Sequence, residues 1–135
     1  MKTKTIEQTV LINAAPRKVY DALMNSKQHA KFTGAPASIR AKPGAAFTCY
    51  DRYITGITLE LKPAKRIVQA WRSRNWPDGT YSIVSFELAG KAGGKTQLRF
   101  THLGVPASDY ADKNKGWRTH YWEPLKKFLE KRASQ

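Results

Sequence analysis

Hydrophobic residues near the C-terminus repeat at steps of three and four, the spacing of one face of an α-helix. Over residues 113–132 the repeating positions are Trp117, Tyr121, Leu125, Phe128 and Leu129. Pro124 lies inside this pattern and lacks a backbone N–H, so we expect a kink about one turn earlier, near His120. Asp109 or Asp112 is expected to cap the first turn. A face this aromatic requires a cover, which the rest of the chain must supply.

The N-terminal part predicts one strand and two short helices. Polar and apolar residues alternate over residues 5–12, which is typical of a strand. Pro16 can begin the first helix, and Asn25 or Ser26 can cap the second, which carries Phe32. Gly34 is expected to end the second helix.

Alternation then continues through the middle of the chain. It predicts six strands joined by turns, over residues 38–40, 45–50, 53–61, 66–73, 81–88 and 96–103. The inward side chains expected on the second and third of these are Phe47, Ile57, Leu59 and Leu61. Such short connections make the strands antiparallel, and the terminal helix is the long element able to cover one face of the sheet. The order therefore predicts an α+β fold, with a curved antiparallel sheet of about six to seven strands around the helix and a cavity between them.

Length and cysteine content narrow the setting. The 135 residues predict a single domain over residues 1–135. Cys49 is the only cysteine, so no intrachain disulfide can form and a reducing compartment is expected. The sequence shows neither a signal-peptide pattern nor an apolar run that could span a membrane, so we expect a cytoplasmic protein without membrane insertion.

The charge is strongly basic but dispersed. Lysine and arginine number 24 against 10 acidic residues, a formal net charge of +14. The nearest approach to a cluster is Lys62, Lys65, Arg66, Arg72 and Arg74. A dispersed pattern favours a solvated surface over a specific nucleic-acid site, although non-specific affinity for polyanions would follow.

Catalytic chemistry has little support in the sequence. No phosphate-binding glycine loop, metal-ligand spacing or nucleophile elbow occurs, and the three histidines are scattered. A hydrolytic pairing of Cys49 with His102 requires their strands to face each other, whereas isolated buried cysteines usually pack. Glu60 and Glu87 fall at outward strand positions, so no carboxylate pair is visible. We therefore predict no catalytic residue, metal or cofactor and lean against an enzyme.

Several stretches, spread through the chain in order, carry a family resemblance. They include residues 19–23 (VYDAL), 32–34 (FTG), 66–68 (RIV), Trp71-Arg72, Trp76-Pro77, Thr101-His102, Gly116-Trp117 and Tyr121-Trp122. With them the chain resembles the bacterial branch related to the activator of heat-shock-protein-ninety ATPase, in the START-like or Bet v one-like (SRPBCC) superfamily. The resemblance implies a helix-grip fold. It covers binders of apolar ligands, cyclase-like proteins and domains that dock on a chaperone ATPase, so it leaves the function open.

The candidate site is the expected cavity. The side chains predicted to line it are Phe32, Gln69, Trp71, Ser82, Phe86, Phe100, His102, Trp117 and Tyr121. We place Trp71 and Trp117 on opposing walls, one on the sheet and one on the helix. A mostly apolar cavity with a few polar groups is typical of a small-molecule site, so binding of a small hydrophobic molecule is the expected function. The alternatives are a module that docks on a chaperone ATPase and a cyclase- or hydrolase-like enzyme, in a monomer or homodimer.

Overall fold

A six-stranded antiparallel sheet, in the order β1-β6-β5-β4-β3-β2, curves around the C-terminal helix. The computed structural model describes the backbone of residues 1–133 and the side chains of residues 1–130. The strands are β1 (Thr3–Ile12), β2 (Ala46–Cys49), β3 (Ile54–Lys62), β4 (Arg66–Ser73), β5 (Ser82–Lys91) and β6 (Lys95–Pro106). This sheet and the helices confirm the predicted α+β helix-grip class.

Two short helices follow β1, as the sequence predicts: α1 (Pro16–Met24) and α2 (Ser26–Thr33). Pro16 begins α1, and no side chain caps that helix. The Asn25 side chain accepts a hydrogen bond from the Gln28 N–H and caps α2, which ends at Gly34 with a φ of 77°.

The predicted strand over residues 38–40 is wrong. Only a single bridge joins Ser38 to Thr48 there. The reason is that Ser26, on α2, occupies the backbone of Ile39: its hydroxyl accepts from the Ile39 N–H at 2.7 Å and donates to the Ile39 carbonyl at 3.0 Å. With both groups bonded to a helix side chain, this segment cannot extend a ladder.

The C-terminal helical region has three consecutive parts: α3 (Tyr110–Gly116), a π-helical segment (Trp117–Trp122) and α4 (Glu123–Ala133). The π-helical segment ends two residues before Pro124, so the helix is disturbed where the sequence predicted a kink. Pro124 cannot donate to the His120 carbonyl, and the Tyr50 hydroxyl donates to that carbonyl instead. The hairpin between β2 and β3 thereby contacts the helix at its weakest point.

The expected capping role of Asp109 is wrong in its mechanism. Asp109 occupies the position before α3, but its side chain makes no capping hydrogen bond. Its carboxylate instead accepts from the Trp76 indole N–H at 2.7 Å and pairs with Lys113 at 2.9 Å.

The prediction for β3 assigned the wrong face of the strand to the core. Ile57 is 40% exposed and Leu59 is 47% exposed, while Gly56 and Thr58 point inward. Leu61 is half-buried. Ile57 belongs to a line of paired apolar residues across the outside of the sheet, which we call the outer row: Ala46, Ile57, Ala70, Ile83 and Leu103.

Gly56 is inward because another side chain uses its space. A Cβ at this position would lie 2.0 Å from the Ala70 carbonyl oxygen and 2.6 Å from the Phe47 ring. The missing side chain lets the Phe47 ring lie across the strand, where it covers the inner face of β3. No helix among the described residues has the length and apolar character needed to cross a membrane.

We expect Gly56→Ala to destabilise the protein by about 1–3 kcal/mol, because the new methyl group collides with backbone as well as with Phe47. Gly90→Ala is the matched control, since its Cβ would meet Pro16 at an ordinary 3.6 Å. Urea denaturation of both variants measures the difference. Equal stability of the two variants would contradict the close packing at Gly56.

Candidate functional site

A cavity of about 470 Å³ lies between the inner face of the sheet and the C-terminal helix. Its lining residues are Phe47, Cys49, Tyr50, Tyr53, Ile54, Gln69, Trp71, Phe86, Asp112, Lys113, Gly116, Trp117, His120 and Tyr121. The exposed side chains of Tyr53, Asp112 and His120 mark its mouth. Strands β2 to β5 supply one wall, and α3 with the π-helical segment supplies the other.

The structure brings five of the predicted site residues to this cavity: Gln69, Trp71, Phe86, Trp117 and Tyr121. The other four lie in the packing around it. Phe32 contacts His29 and Tyr121, and Phe100 contacts Trp117 at 4.3 Å between ring centroids. Ser82 and His102 lie behind the tryptophans. Whether any of these residues binds a ligand stays a prediction.

Trp71 and Trp117 do not face each other across the cavity as expected. Their ring centroids are 5.5 Å apart, so the two rings touch and form one continuous wall. A ligand would therefore lie against this pair and not between its members.

A buried chain of hydrogen bonds fixes that wall. The Trp117 indole N–H donates to His102 Nδ1 at 3.1 Å, which assigns the His102 proton to Nε2. Nε2–H then donates to Ser82 Oγ at 2.7 Å, and the Ser82 hydroxyl donates to the Trp71 carbonyl at 2.7 Å. Each polar atom in the chain has a partner, which makes His102 and Ser82 structural groups and leaves neither available for proton transfer.

A second chain ties the helix to the edge of the sheet. The Trp122 indole N–H donates to Gln8 Oε1 at 2.7 Å, and Gln8 Nε2 donates to the Asn114 carbonyl at 2.8 Å. Gln8 belongs to β1, so the helix is held at both the centre and one edge of the sheet.

His29 and Tyr121 form a polar pair at the inner end of the cavity. His29 Nε2 lies 2.7 Å from the Tyr121 hydroxyl and 3.8 Å from Cys49 Sγ. Cys49 thus neighbours His29, and the alternative pairing with His102 is wrong because α2, not β6, covers this part of β2. Burial lowers the pKa of His29 to about 4 and raises the pKa of the Cys49 thiol to about 12. Both groups are neutral at pH 7, so the thiol is not an activated nucleophile.

Charged groups reach the cavity only near its mouth. Lys113 Nζ pairs with Asp109 at 2.9 Å and with Asp112 at 3.2 Å. The side chains of Lys113 and Asp109 are 10% and 13% exposed, so this pair is screened less than a surface ion pair. One cation is therefore already shared by two carboxylates.

Periodicity could have identified part of the lining that sequence reasoning missed. Lys113, Gly116 and His120 lie three and four residues from Trp117 and Tyr121, on the same helical face. Tyr50 and Tyr53 left no comparable signal. Their position depends on a turn in which Tyr50, Asp51 and Arg52 all have positive φ values, which residues of these types rarely adopt.

Metal binding has no structural support within the part of the chain that the structure describes. There, no three side chains of His, Cys, Asp or Glu come close enough together to hold an ion.

The sheet, the helix it surrounds and the cavity between them define a helix-grip domain. The chain belongs to the family described as Activator of Hsp90 ATPase homolog 1-like protein, whose family model matches residues 13–130.

Curated relatives include the human activator of 90 kDa heat shock protein ATPase homolog 1, which is 30% identical over 122 residues. That match covers 90% of this chain and 35% of the relative. A homologue from Dictyostelium discoideum is 27% identical over 126 residues, which cover 92% of this chain and 32% of the relative. The chain thus spans about a third of the length of these relatives.

Solved structures share the fold. The HSP90 activator from Plasmodium falciparum superposes with a TM-score of 0.85 at 24% identity, over 93% of this chain and 96% of that chain. The Aha1 dimer from Colwellia psychrerythraea superposes with a TM-score of 0.81 at 24% identity, over 94% of this chain and 96% of that one.

We expect stability to fall as the pH drops from about 6.5 toward about 4, because the folded protein keeps His29 and His102 neutral. Burial lowers the pKa of His102 to about 3, so protons bind these rings mainly after unfolding. Each histidine should steepen the decline by up to about 1.4 kcal/mol per pH unit. Urea denaturation against pH, with NMR of the imidazole rings, measures both effects. Titration of the His29 or His102 ring near pH 6.5 in the folded protein would contradict this expectation.

Proposed function

We propose that this domain binds a small, predominantly apolar molecule in the cavity between the sheet and the C-terminal helix. The observation that carries the proposal is the cavity of about 470 Å³, which falls in the size range of small-molecule sites. Aromatic side chains dominate its walls, and they would remove a ligand's apolar surface from water.

Fixed walls support a cavity that exists before a ligand arrives. The Trp117 ring is held by its bond to His102, and the Phe47 ring lies over Gly56. Because these side chains cannot easily rotate inward, less ordering free energy is needed for binding.

Gly116 offers a way to block the cavity without weakening the fold. It has helical backbone angles (φ −59°, ψ −39°), and a Cβ there would meet only His120 Cδ2, at 3.8 Å. A larger side chain should enter the cavity while improving helix propensity, since glycine costs up to about 1 kcal/mol relative to alanine.

We expect Gly116→Leu to bind apolar fluorescent probes at least about tenfold more weakly than the parent, because a leucine side chain displaces one to two kcal/mol of ligand contacts. Gly116→Ala is the matched control and should bind within about threefold of the parent, since it keeps most of the cavity. Probe fluorescence and quenching of the tryptophans measure binding, and thermal denaturation checks that both variants are folded. Absence of binding to the parent, or unchanged binding to Gly116→Leu, would overturn the proposal.

We also propose a second function, a protein-interaction module that acts on a chaperone ATPase. It is favoured by the family of the chain and by the names of its relatives, which describe activators of the 90 kDa heat shock protein ATPase. The outer row offers a contact surface, with Ile57 and Leu103 40% and 50% exposed. Arg72 and Arg99 lie on the same outer face, and the net charge of +14 favours an acidic partner surface over a second copy of this chain.

We expect Leu103→Thr to reduce stimulation of a 90 kDa heat shock protein ATPase from the same organism, because the substitution removes an apolar side chain from the outer row. Leu11→Thr is the matched control. Leu11 is 51% exposed, on the same face, but its β6 partner is Gln97, about 20 Å along the strand from Leu103. Equal ATPase rates with the parent, the two variants and no added protein would contradict this function.

A further inference from the structure

We infer that the cavity selects neutral apolar molecules that carry a hydrogen-bond acceptor, such as a ketone or ester carbonyl, and discriminates against carboxylate anions. The inference rests on the proposed ligand-binding function and names the chemistry of that same cavity. It runs against the overall charge of +14, which by itself would favour anions.

The acceptor preference follows from the proton positions around Tyr121. His29 is fully buried, and its Nδ1 has no hydrogen-bond partner in the described structure. An unpaired N–H in the interior is rarer than an unpaired acceptor, so the proton belongs on Nε2. Nε2–H then donates to the Tyr121 oxygen over the 2.7 Å contact. The Tyr121 hydroxyl proton is left to donate to another group, and Tyr121 lines the cavity.

The other polar groups of the inner cavity are engaged or neutral. The Tyr50 hydroxyl donates to the His120 carbonyl. Gln69 Nε2 is directed at Thr58 Oγ1, at 3.4 Å, and at Met24 Sδ, at 3.9 Å. Tyr121 is therefore the lining side chain best placed to donate a hydrogen bond to a ligand.

Discrimination against anions follows from the charges at the mouth. The lining contains one cation, Lys113, and Asp109 and Asp112 already neutralise it. A carboxylate entering the cavity would lose its hydration and find two carboxylates against one ammonium group. A buried charge without a partner is strongly disfavoured, so the neutral analogue should bind more tightly.

The test uses three naphthalenes of nearly equal size: acetylnaphthalene, ethylnaphthalene and naphthoate. At neutral pH the parent should bind acetylnaphthalene about three- to tenfold more tightly than ethylnaphthalene, the range of one net hydrogen bond. Naphthoate should bind at least about tenfold more weakly than acetylnaphthalene, since it brings an unpaired charge. Tyr121→Phe should abolish the preference for the acetyl compound and leave the affinity for ethylnaphthalene nearly unchanged.

Tyr50→Phe is the matched control, because it also removes one hydroxyl from the lining but one that already has an acceptor. It should keep the acetyl preference. The carbonyl stretch of acetylnaphthalene bound to the parent supplies a readout that needs no variant: it should move to lower frequency than in hexane. Binding of none of the three compounds would overturn the proposed function itself. Binding without acetyl preference, without the frequency shift, or with naphthoate as the tightest compound would overturn this inference alone.

Discussion

The hydrogen bond from Trp117 to His102 joins the terminal helix to the centre of the sheet, and most of the site depends on it. Both partners are buried, so an unmade bond would leave two polar groups without water or a partner. Because His102 passes its own proton to Ser82, and Ser82 bonds the Trp71 carbonyl, one chain spans β4, β5, β6 and the helix. The same bonds that hold the helix in place also hold the tryptophan wall of the cavity.

The irregular helix contributes in a different way. Trp117, Tyr121 and Trp122 are all buried, and all three belong to the π-helical segment. The wider turn brings the neighbouring residues Tyr121 and Trp122 toward the core together, one facing the cavity and the other facing Gln8 on β1. The disturbance that Pro124 imposes is thus used for packing, and Tyr50 bonds the carbonyl that Pro124 leaves unpaired.

Regular periodicity explains how much of the fold and site the sequence could predict. Gln69, Trp71 and Phe86 follow simple alternation on β4 and β5, and Trp117 and Tyr121 follow the helical repeat, so all five reach the cavity as predicted. Prediction failed on β3, where Ile57 and Leu59 suggested an inward face. The actual inward position is a glycine, whose role depends on the ring of Phe47 from another strand.

Other features could not be predicted because they depend on distant contacts. The pairing of Cys49 with His29 requires α2 to lie over β2, and the unpaired Nδ1 of His29 depends on the whole surrounding core. Likewise, Tyr50 reaches the helix only through a turn with three consecutive positive φ values. Local patterns specify elements and faces, whereas these side-chain partnerships emerge only when the elements pack.

The central claim is that the cavity holds a neutral apolar ligand beside the Trp71–Trp117 wall. A crystal structure of the protein with acetylnaphthalene tests this most directly. The account predicts the naphthalene ring against that wall and the carbonyl oxygen about 2.5–3.0 Å from the Tyr121 hydroxyl oxygen. A ligand bound elsewhere on the surface, or a cavity closed by its own side chains, would contradict it.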